Sequence, residues 1–328
     1  MRNARALLFR QHGPAGKVVE LGELELPGLL PNEVCVRVLL APINPADLNT
    51  IEGTYPVRPA LPAVPGGEGV GVIEEVGSAV ETLKKGDRVL LPYRLGTWRE
   101  AVNVPADKVI VVPAGVTDEQ AAMIKINPAT ALRMLTDFIA LQPGDWVIQN
   151  ASNSAVGRAV IEIAHRRGLR TVNVVRRPEL IEELRLAGAE VVIVDSERLA
   201  DEVALVTEER LPKLGLNAVG GESALRVAGS LAHGGTLVTY GAMSRQALRI
   251  PNGLLIFKDL AFRGYWLSLW FQNSTAEERD AMFAELFSMA ADGMFQTPVD
   301  RRFRLEQYAD ALELAGKGGR KGKVLFEF

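Results

Sequence analysis

Gln142-Pro-Gly-Asp-Trp-Val-Ile-Gln-Asn-Ala-Ser-Asn-Ser-Ala-Val-Gly157 is the stretch whose reading organises the chain. Pro143-Gly144 turns it, and Trp146 to Ile148 reads as a short buried strand. Ser152 to Gly157 is a tight turn of small residues, and Val160 to Ala164 repeats at helical spacing. A second apolar run, Thr171 to Val175, completes a strand-turn-helix-strand unit. The turn falls on the dinucleotide fingerprint G-x-G-x-x-G as Ser152-Asn153-Ser154-Ala155-Val156-Gly157, keeping only the last glycine. Serine and alanine still let a pyrophosphate approach backbone N–H groups at a helix N-terminus, where the dipole favours negative charge.

The position about twenty residues on selects the dinucleotide. An acid there accepts the ribose 2′-OH of NAD, whereas this strand ends in Arg176-Arg177, which offers cations and no acceptor. The pair reads as a clamp for the 2′-phosphate of NADP(H); the alternative is two arginines capping a surface strand.

At 328 residues the chain is long enough for two domains and for a core that needs no disulfide. Apolar content of 48% and charged content of 23% describe an ordinary globular protein, and a net charge of −3 gives no support to nucleic-acid binding. The single cysteine, Cys35, lies in an alternating strand pattern, excludes an internal disulfide and fits a reducing compartment. No run approaches the roughly eighteen apolar residues of a membrane span, and Met1 to Arg10 lacks an apolar signal core. The expected location is cytoplasmic.

From Arg5 to about Val112 short strands alternate with Gly/Pro punctuation: Ala6–Phe9, Lys17–Leu21, Glu33–Leu39, Gly69–Val76 and Asp87–Leu91. Pro65-Gly-Gly-Glu-Gly-Val-Gly71 precedes a strand and reads as a turn, not a phosphate loop. Helical character starts near Asp118 with Thr117 as cap, and strands and helices then alternate to about Arg263, which means parallel βαβ units. A long helix from Thr275 to about Gly293, a helix at Tyr308 and a last strand from Lys323 return to the character of the first segment.

Three blocks carry a family resemblance: Ile43-Asn-Pro-Ala-Asp-Leu-Asn49 continuing to Pro56, Val147 to Gly157, and Leu255 to Leu267. Together they resemble the zinc-free medium-chain dehydrogenase/reductases, and within them the trans-2-enoyl-CoA (enoyl-thioester) reductases of mitochondrial type and their bacterial relatives. The resemblance runs from the first strand to Phe328 and is weak between about Glu179 and Leu211. It implies an α/β fold in which a β-rich GroES-like catalytic domain, residues 1–120 and 265–328, carries an inserted Rossmann NADP-binding domain, residues 121–264.

Catalytic zinc needs about three Cys, His or acid ligands. Where zinc-dependent relatives carry cysteine this chain has Asn44, and where they carry Gly-His-Glu it has Gly66-Gly67-Glu68. No metal is therefore expected, and carbonyl polarisation falls to hydrogen bonds.

The resemblance implies NADPH-dependent reduction of the C=C bond of a 2-enoyl thioester, carried by coenzyme A or acyl carrier protein. Hydride goes to the β-carbon, and the α-carbon is protonated by Tyr55, which stands where the family's proton-donating tyrosine does. The alternative is a tyrosine that packs its loop; Pro56 after it is a departure from the family. The cofactor-contacting positions implied are Asn127, Asn153, Ser154, Ala155, Val156, Arg176, Arg177, Tyr240, Gly241, Ala242, Met243, Tyr265, Trp266, Leu267 and Lys323. For Asn127 the alternative is a helix cap; Trp270 and Phe271 read as core.

Lys317 to Lys323 holds four cations, read as a solvated loop or as a phosphate contact. Leu254 to Phe262 is apolar and β-prone, and in the family such a strand pairs with its twin, which implies a homodimer. Two other functions remain in play: a zinc-independent NADPH:quinone or enone oxidoreductase of the same superfamily, and a non-catalytic NADPH-binding protein.

Overall fold

The computed structural model describes residues 2–328. Contacts divide the chain into two units, residues 1–126 with 284–328, and residues 127–283.

The first unit is built on seven antiparallel-rich strands. Val299–Phe303, Lys323–Glu327, Glu33–Pro42, Val70–Val76, Arg88–Leu90 and Ile110–Val111 lie side by side in that order, and Ala101–Pro105 pairs on Glu33–Pro42. Arg2–Phe9 and Val19–Leu26 form a separate antiparallel pair. Lys17–Leu21, expected as one strand, opens as a helical turn, Ala15–Val18, and is extended only from Val19. Alternate residues such as Val34, Val36 and Val38 point inward with Leu7, Phe9 and Phe326, around Trp98. Trp98 meets Phe326 edge-on at 5.2 Å and donates its indole N–H to the Pro42 carbonyl at 3.2 Å, so a buried polar atom is satisfied.

The helix Asp118–Ile124 belongs to this unit. Thr117 caps it, accepting from the Gln120 N–H at 3.2 Å while Gln120 Oε1 accepts from the Thr117 N–H at 2.9 Å. The Gln120 amide then donates to the carbonyls of Ala290 and Met294, 2.8 and 2.7 Å away. These bonds place the division after Ile126, a few residues beyond the expected 120/121.

The second unit is a six-stranded, wholly parallel sheet in the order Val191–Val194, Arg170–Val175, Trp146–Gln149, Leu214–Asn217, Thr236–Thr239, Ala261–Gly264. Such an order reverses direction between Trp146–Gln149 and Leu214–Asn217, and ligands bind at that switch point, beyond the carboxyl ends of the strands. Helices Ala155–Arg166, Leu180–Leu186, Leu199–Val206 and Gly221–Gly229 connect the strands. Residues 265–283 stay with this unit: Tyr265 packs edge-on against Phe138, Arg133 lies 4.9 Å over the Trp270 ring, and Phe271 stacks on Phe283. The second division therefore falls after Phe283, later than the expected 264/265.

The expected strand Leu254 to Phe262 is corrected. Asn252–Ile256 is a short helix, and extended structure begins only at Ala261, where it gains a partner in Thr236–Thr239. The apolar run is β-prone, but its first half has no strand beside it to pair with.

Candidate functional site

In the parallel unit the turn after Trp146–Gln149 is held from three sides. Ser152 Oγ donates to the carbonyls of Gln149 and Val174, both at 3.1 Å. Ser154 caps the helix Ala155–Arg166 by accepting from the Gly157 N–H at 3.1 Å. A Cβ on Gly157 would sit 2.5 Å from the Ser152 carbonyl oxygen, which explains why this glycine of the fingerprint alone survives. The first turn of a helix has N–H groups without intrahelical acceptors, so Asn153, Ser154, Ala155 and Val156, all half-buried, frame an anion-accepting end.

A network of buried amides ties this turn to its neighbours. Gln149 Nε2 donates to the Gly157 carbonyl and to Asn173 Oδ1, each at 2.8 Å. Asn150 Nδ2 donates to Asn217 Oδ1 at 2.9 Å and Ser223 Oγ at 3.1 Å, and its Oδ1 accepts from the Ala218 N–H at 2.8 Å. Asn217 Oδ1 also accepts from the N–H groups of Val219 and Gly220, and its Nδ2 donates to Thr239 Oγ1. These bonds tie the turn to the neighbouring strands, while Gln149 Oε1 stays buried without a partner. Sequence reading missed them; the signal was an amide at or just past the end of adjacent strands, at Gln149-Asn150, Asn173 and Asn217.

Tyr240 follows the strand Thr236–Thr239 and places its enclosed hydroxyl beside Ser154; burial pushes that phenol well above its ordinary range. Gly241 lies so close to Ala218 that a Cβ would be 2.9 Å from its carbonyl oxygen. Ala242 and Met243 continue outward, and the Met243 N–H donates to the Ala218 carbonyl while its side chain is 64% exposed. Asn127 is the first residue of the helix Asn127–Thr136, not its cap, and its Nδ2 is buried without a hydrogen-bond partner. Unsatisfied buried donors are uncommon, and this one, like the Trp146 indole N–H, has no acceptor among the described residues. Arg176 and Arg177 are exposed just past Arg170–Val175, with no ion pair among the described residues. Tyr265 and Trp266 are half-buried; Leu267 is buried at the start of the helix Leu267–Asn273. An anion-accepting helix end, an orphaned amide and two free guanidiniums fit a phosphorylated dinucleotide.

In the β-rich unit the sequence Asn44-Pro45 starts the helix Pro45–Glu52, with Pro at the first position and Asp47 Oδ2 accepting from the Asn44 N–H at 2.8 Å. Gly53, at φ 78°, ends it in the left-handed conformation. Tyr55 follows, its N–H donating to the Asn49 carbonyl at 3.1 Å, with its side chain half-buried.

The start of the same helix belongs to a buried charged cluster. Asn44 Nδ2 donates to Glu68 Oε1 at 2.9 Å, the Ile126 N–H donates to Glu68 Oε2 at 2.9 Å, and Lys323 Nζ donates to Asn44 Oδ1. Lys125 Nζ donates to the Leu91 carbonyl. Burial pushes Glu68 up to about 7, against the pull of Lys323 and the hydrogen bonds it accepts. Burial likewise raises Asp47 to about 6, opposed by the Asn44 N–H, Lys323 and Arg94. Lys125 is pushed down to about 7 and Lys323 is also lowered, each by burial opposed by Glu68. Lys323, expected at the cofactor, has its ammonium in this cluster.

The cluster does not fit a zinc ion. Its donors are an amide and two carboxylates already engaged by N–H groups and an ammonium, and among the described residues no three His, Cys, Asp or Glu converge. A Cβ on Gly67 would lie 3.2 Å from both Asp47 Oδ1 and Ile126 Cδ1, so a side chain there would have to push one of these two aside.

Two of the four cations of 317–323 are engaged apart from the others: Lys317 pairs with Glu313, and Lys323 turns inward to Asn44.

The family described as Alcohol dehydrogenase GroES-like domain matches residues 30–114, and that described as Zinc-binding dehydrogenase matches residues 155–285. The chain is 45% identical over 319 residues to the human Enoyl-[acyl-carrier-protein] reductase, mitochondrial, covering 95% of this chain and 86% of that protein. The solved mitochondrial 2-enoyl thioester reductase Etr1p/Etr2p heterodimer from Candida tropicalis superposes with a TM-score of 0.92 at 31% identity, over the full length of both chains. An Etr1p/NADP/crotonyl-CoA complex superposes at 0.91 and 30% identity, again over both full lengths.

Proposed function

Because this chain belongs to the enoyl thioester reductases of the medium-chain dehydrogenase/reductase superfamily, it is an NADPH-dependent reductase of 2-enoyl thioesters, and we propose that Tyr55 supplies the proton. The observation that carries the acid's assignment is the placement of Tyr55. Its phenol stands on a loop braced by the Asn44-Pro45 helix and is half-open to solvent, whereas the other hydroxyls of the Asn44–Pro56 block, those of Thr50 and Thr54, donate to the backbone carbonyls of Ala46 and Asn49.

NADPH, when bound, supplies the hydride that reduces the β-carbon. The chain's own part is to hold the cofactor and deliver a proton. Arg176 and Arg177 offer two guanidiniums to a 2′-phosphate; Asn153 to Val156 receive the pyrophosphate on a helix end; Asn127 Nδ2 donates to the bound group; Tyr240, Gly241, Ala242, Met243, Tyr265, Trp266 and Leu267 wall the ring and adenosine sides. Tyr55 donates its phenolic proton to the substrate's α-carbon as the enolate collapses, and regains it from solvent. The acyl carrier is coenzyme A or acyl carrier protein, the groups named for the relatives.

We also infer a homodimer. Ala261–Gly264 is the open edge of the parallel sheet, and Leu255, Ile256 and Phe257 beside it are 46%, 68% and 81% exposed, a combination that a second copy would cover. Among the described residues no helix is long and apolar enough to cross a membrane, and the single buried cysteine supports a reducing compartment, which we take to be the cytoplasm.

The test is NADPH oxidation with a short trans-2-enoyl-CoA and, in parallel, a simple quinone. Wild-type turnover of the thioester, with deuterium from solvent appearing at the α-carbon and loss of rate in Tyr55→Phe, is the expected result. Quinone turnover indifferent to the substitution, with no thioester activity, would move the protein to the quinone reductases.

A further inference from the structure

Arg94 has an unusual backbone. It sits at φ 60°, in the left-handed region that a side chain other than Gly, Asn or Asp rarely adopts. The turn around it is stitched down: the Arg94 N–H donates to the Gly67 carbonyl at 2.8 Å, the Gly96 N–H to the Gly66 carbonyl at 3.0 Å, and the Leu95 N–H to the Pro92 carbonyl at 3.3 Å. Strained residues persist where the surroundings over-determine them, and they concentrate at functional sites.

The strained turn aims the side chain at the tyrosine loop. The Arg94 guanidinium carbon lies 4.6 Å from the centroid of the Tyr55 ring, within cation–π range. Its Nη2 donates to Thr50 Oγ1 at 3.3 Å and lies 3.5 Å from the Val57 carbonyl oxygen. Thr50 precedes Tyr55 and Val57 follows it, so one planar group touches the loop before, on and after the tyrosine. Asp47, in the buried cluster, feels the same positive charge. Arginine is suited to this task because its flat cation stacks on a ring while its edge donates in a fixed fork.

We propose that Arg94 is a positioning residue for the proton donor: it fixes the plane of the Tyr55 ring and the span of its loop, so that the phenol is held in place for delivery to the α-carbon. This rests on the reading of Tyr55 as the acid. Glycine is the residue that the backbone at 94 prefers, so the strain and the side chain point in opposite directions, and that conflict makes the inference testable.

The experiment compares Arg94→Gly, Arg94→Lys, Tyr55→Phe and the Arg94→Gly/Tyr55→Phe double variant, with kcat and KM for crotonyl-CoA, NADPH dissociation constants and thermal midpoints. Arg94→Gly relieves the left-handed strain and is expected to keep its midpoint within about 2 °C of wild type. Its kcat should nonetheless fall about 10- to 100-fold, the cost of a misplaced reacting group, with NADPH binding unchanged. Arg94→Lys, which keeps a cation over the ring, should regain part of that loss. In the Tyr55→Phe background, Arg94→Gly should cost less than about twofold more, since a residue acting through the phenol has nothing left to position.

An unchanged kcat in Arg94→Gly, or an equal loss with and without the Tyr55 hydroxyl, would overturn the proposal while leaving Tyr55 as the acid. Full activity of Tyr55→Phe would overturn both readings and is seen in that single variant alone. If Arg94→Gly fails to fold, Arg94→Gln carries the same comparison, with the same outcomes deciding.

Discussion

The two units of this molecule prepare for chemistry in opposite ways. In the parallel unit the turn Ser152–Gly157 is held by neutral amides and backbone groups, with Gln149, Asn150, Asn173 and Asn217 bonded from strand to strand, and Arg176 and Arg177 stay exposed at the surface. In the β-rich unit the start of the helix that leads to Tyr55 joins a cluster of buried ionisable groups, Asp47, Glu68, Lys125 and Lys323, each displaced from its ordinary ionisation by burial. A phosphate-bearing cofactor brings its own charge, so its cradle works best with fixed dipoles and an open cationic rim. The reacting enoyl thioester group is neutral and brings none until it reacts, so the protein must keep charge of its own nearby.

That contrast can be broken or sharpened by substitution. The largest effect is expected at the proposed proton donor: Tyr55→Phe should lower thioester kcat about 100-fold or more without weakening NADPH binding, read from steady-state rates and a binding titration. Next is the charged cluster. Lys323→Met leaves Asn44 Oδ1 buried without its donor, and orphaning a buried acceptor in this way costs about 1–3 kcal/mol, to be measured by urea unfolding. A cost under about 1 kcal/mol would mean that the cluster holds without this charge.

On the cofactor side the rim should matter more than the amides for choice of dinucleotide. Arg176→Ala with Arg177→Ala removes charge-assisted contacts of about 1.5–3 kcal/mol each, so KM for NADPH should rise tenfold or more while that for NADH stays level. Equal loss for both cofactors would show that the arginines do not read the 2′-phosphate. Gly157→Ala pushes a methyl against the Ser152 carbonyl and should cost about 1–3 kcal/mol of stability, visible as a lower melting temperature.

The smallest effect is a slope with pH. Glu68 is raised from 4.5 to about 7, so its stabilising contribution as the neutral acid is complete below 4.5 and is lost as pH rises through 7. Lys125 is lowered from 10.5 to about 7, so its contribution as the neutral amine is complete above 10.5 and is lost as pH falls through 7. Stability from these two groups is therefore least near pH 7. Lys125→Met should flatten the rise between pH 7 and 10, by about 2–4 °C of melting temperature for each kcal/mol removed. A rise that survives the substitution would assign it to another group.

Much of the molecule was legible beforehand. The strands Glu33–Pro42, Val70–Val76 and Trp146–Gln149 and the helix after Thr117 carry local periodicity and punctuation, and local patterns predict local structure well. Leu254 to Phe262 misled because β-propensity measures fit to a half-buried pleat, and residues 252–256 have no strand beside them. Residues 265–283 look like part of the strand-rich return, yet ring contacts to Arg133 and Phe138 hold them to the parallel unit.

The site divides along the same line. A phosphate turn, a basic pair twenty-odd residues later and a tyrosine after Asn-Pro-Ala-Asp are short-range facts, and the sequence by itself determined them, along with the parallel sheet that presents them. Tertiary structure alone decided that Lys323 reaches Asn44, 279 positions away, that Glu68 joins Asn44 to the Ile126 N–H, and that Arg94 lies over Tyr55. Turns and helices arise from torsional preferences of adjacent residues, whereas a buried charge is tolerated only where distant strands deliver its partner. The partner therefore cannot be read until the sheet has closed around it.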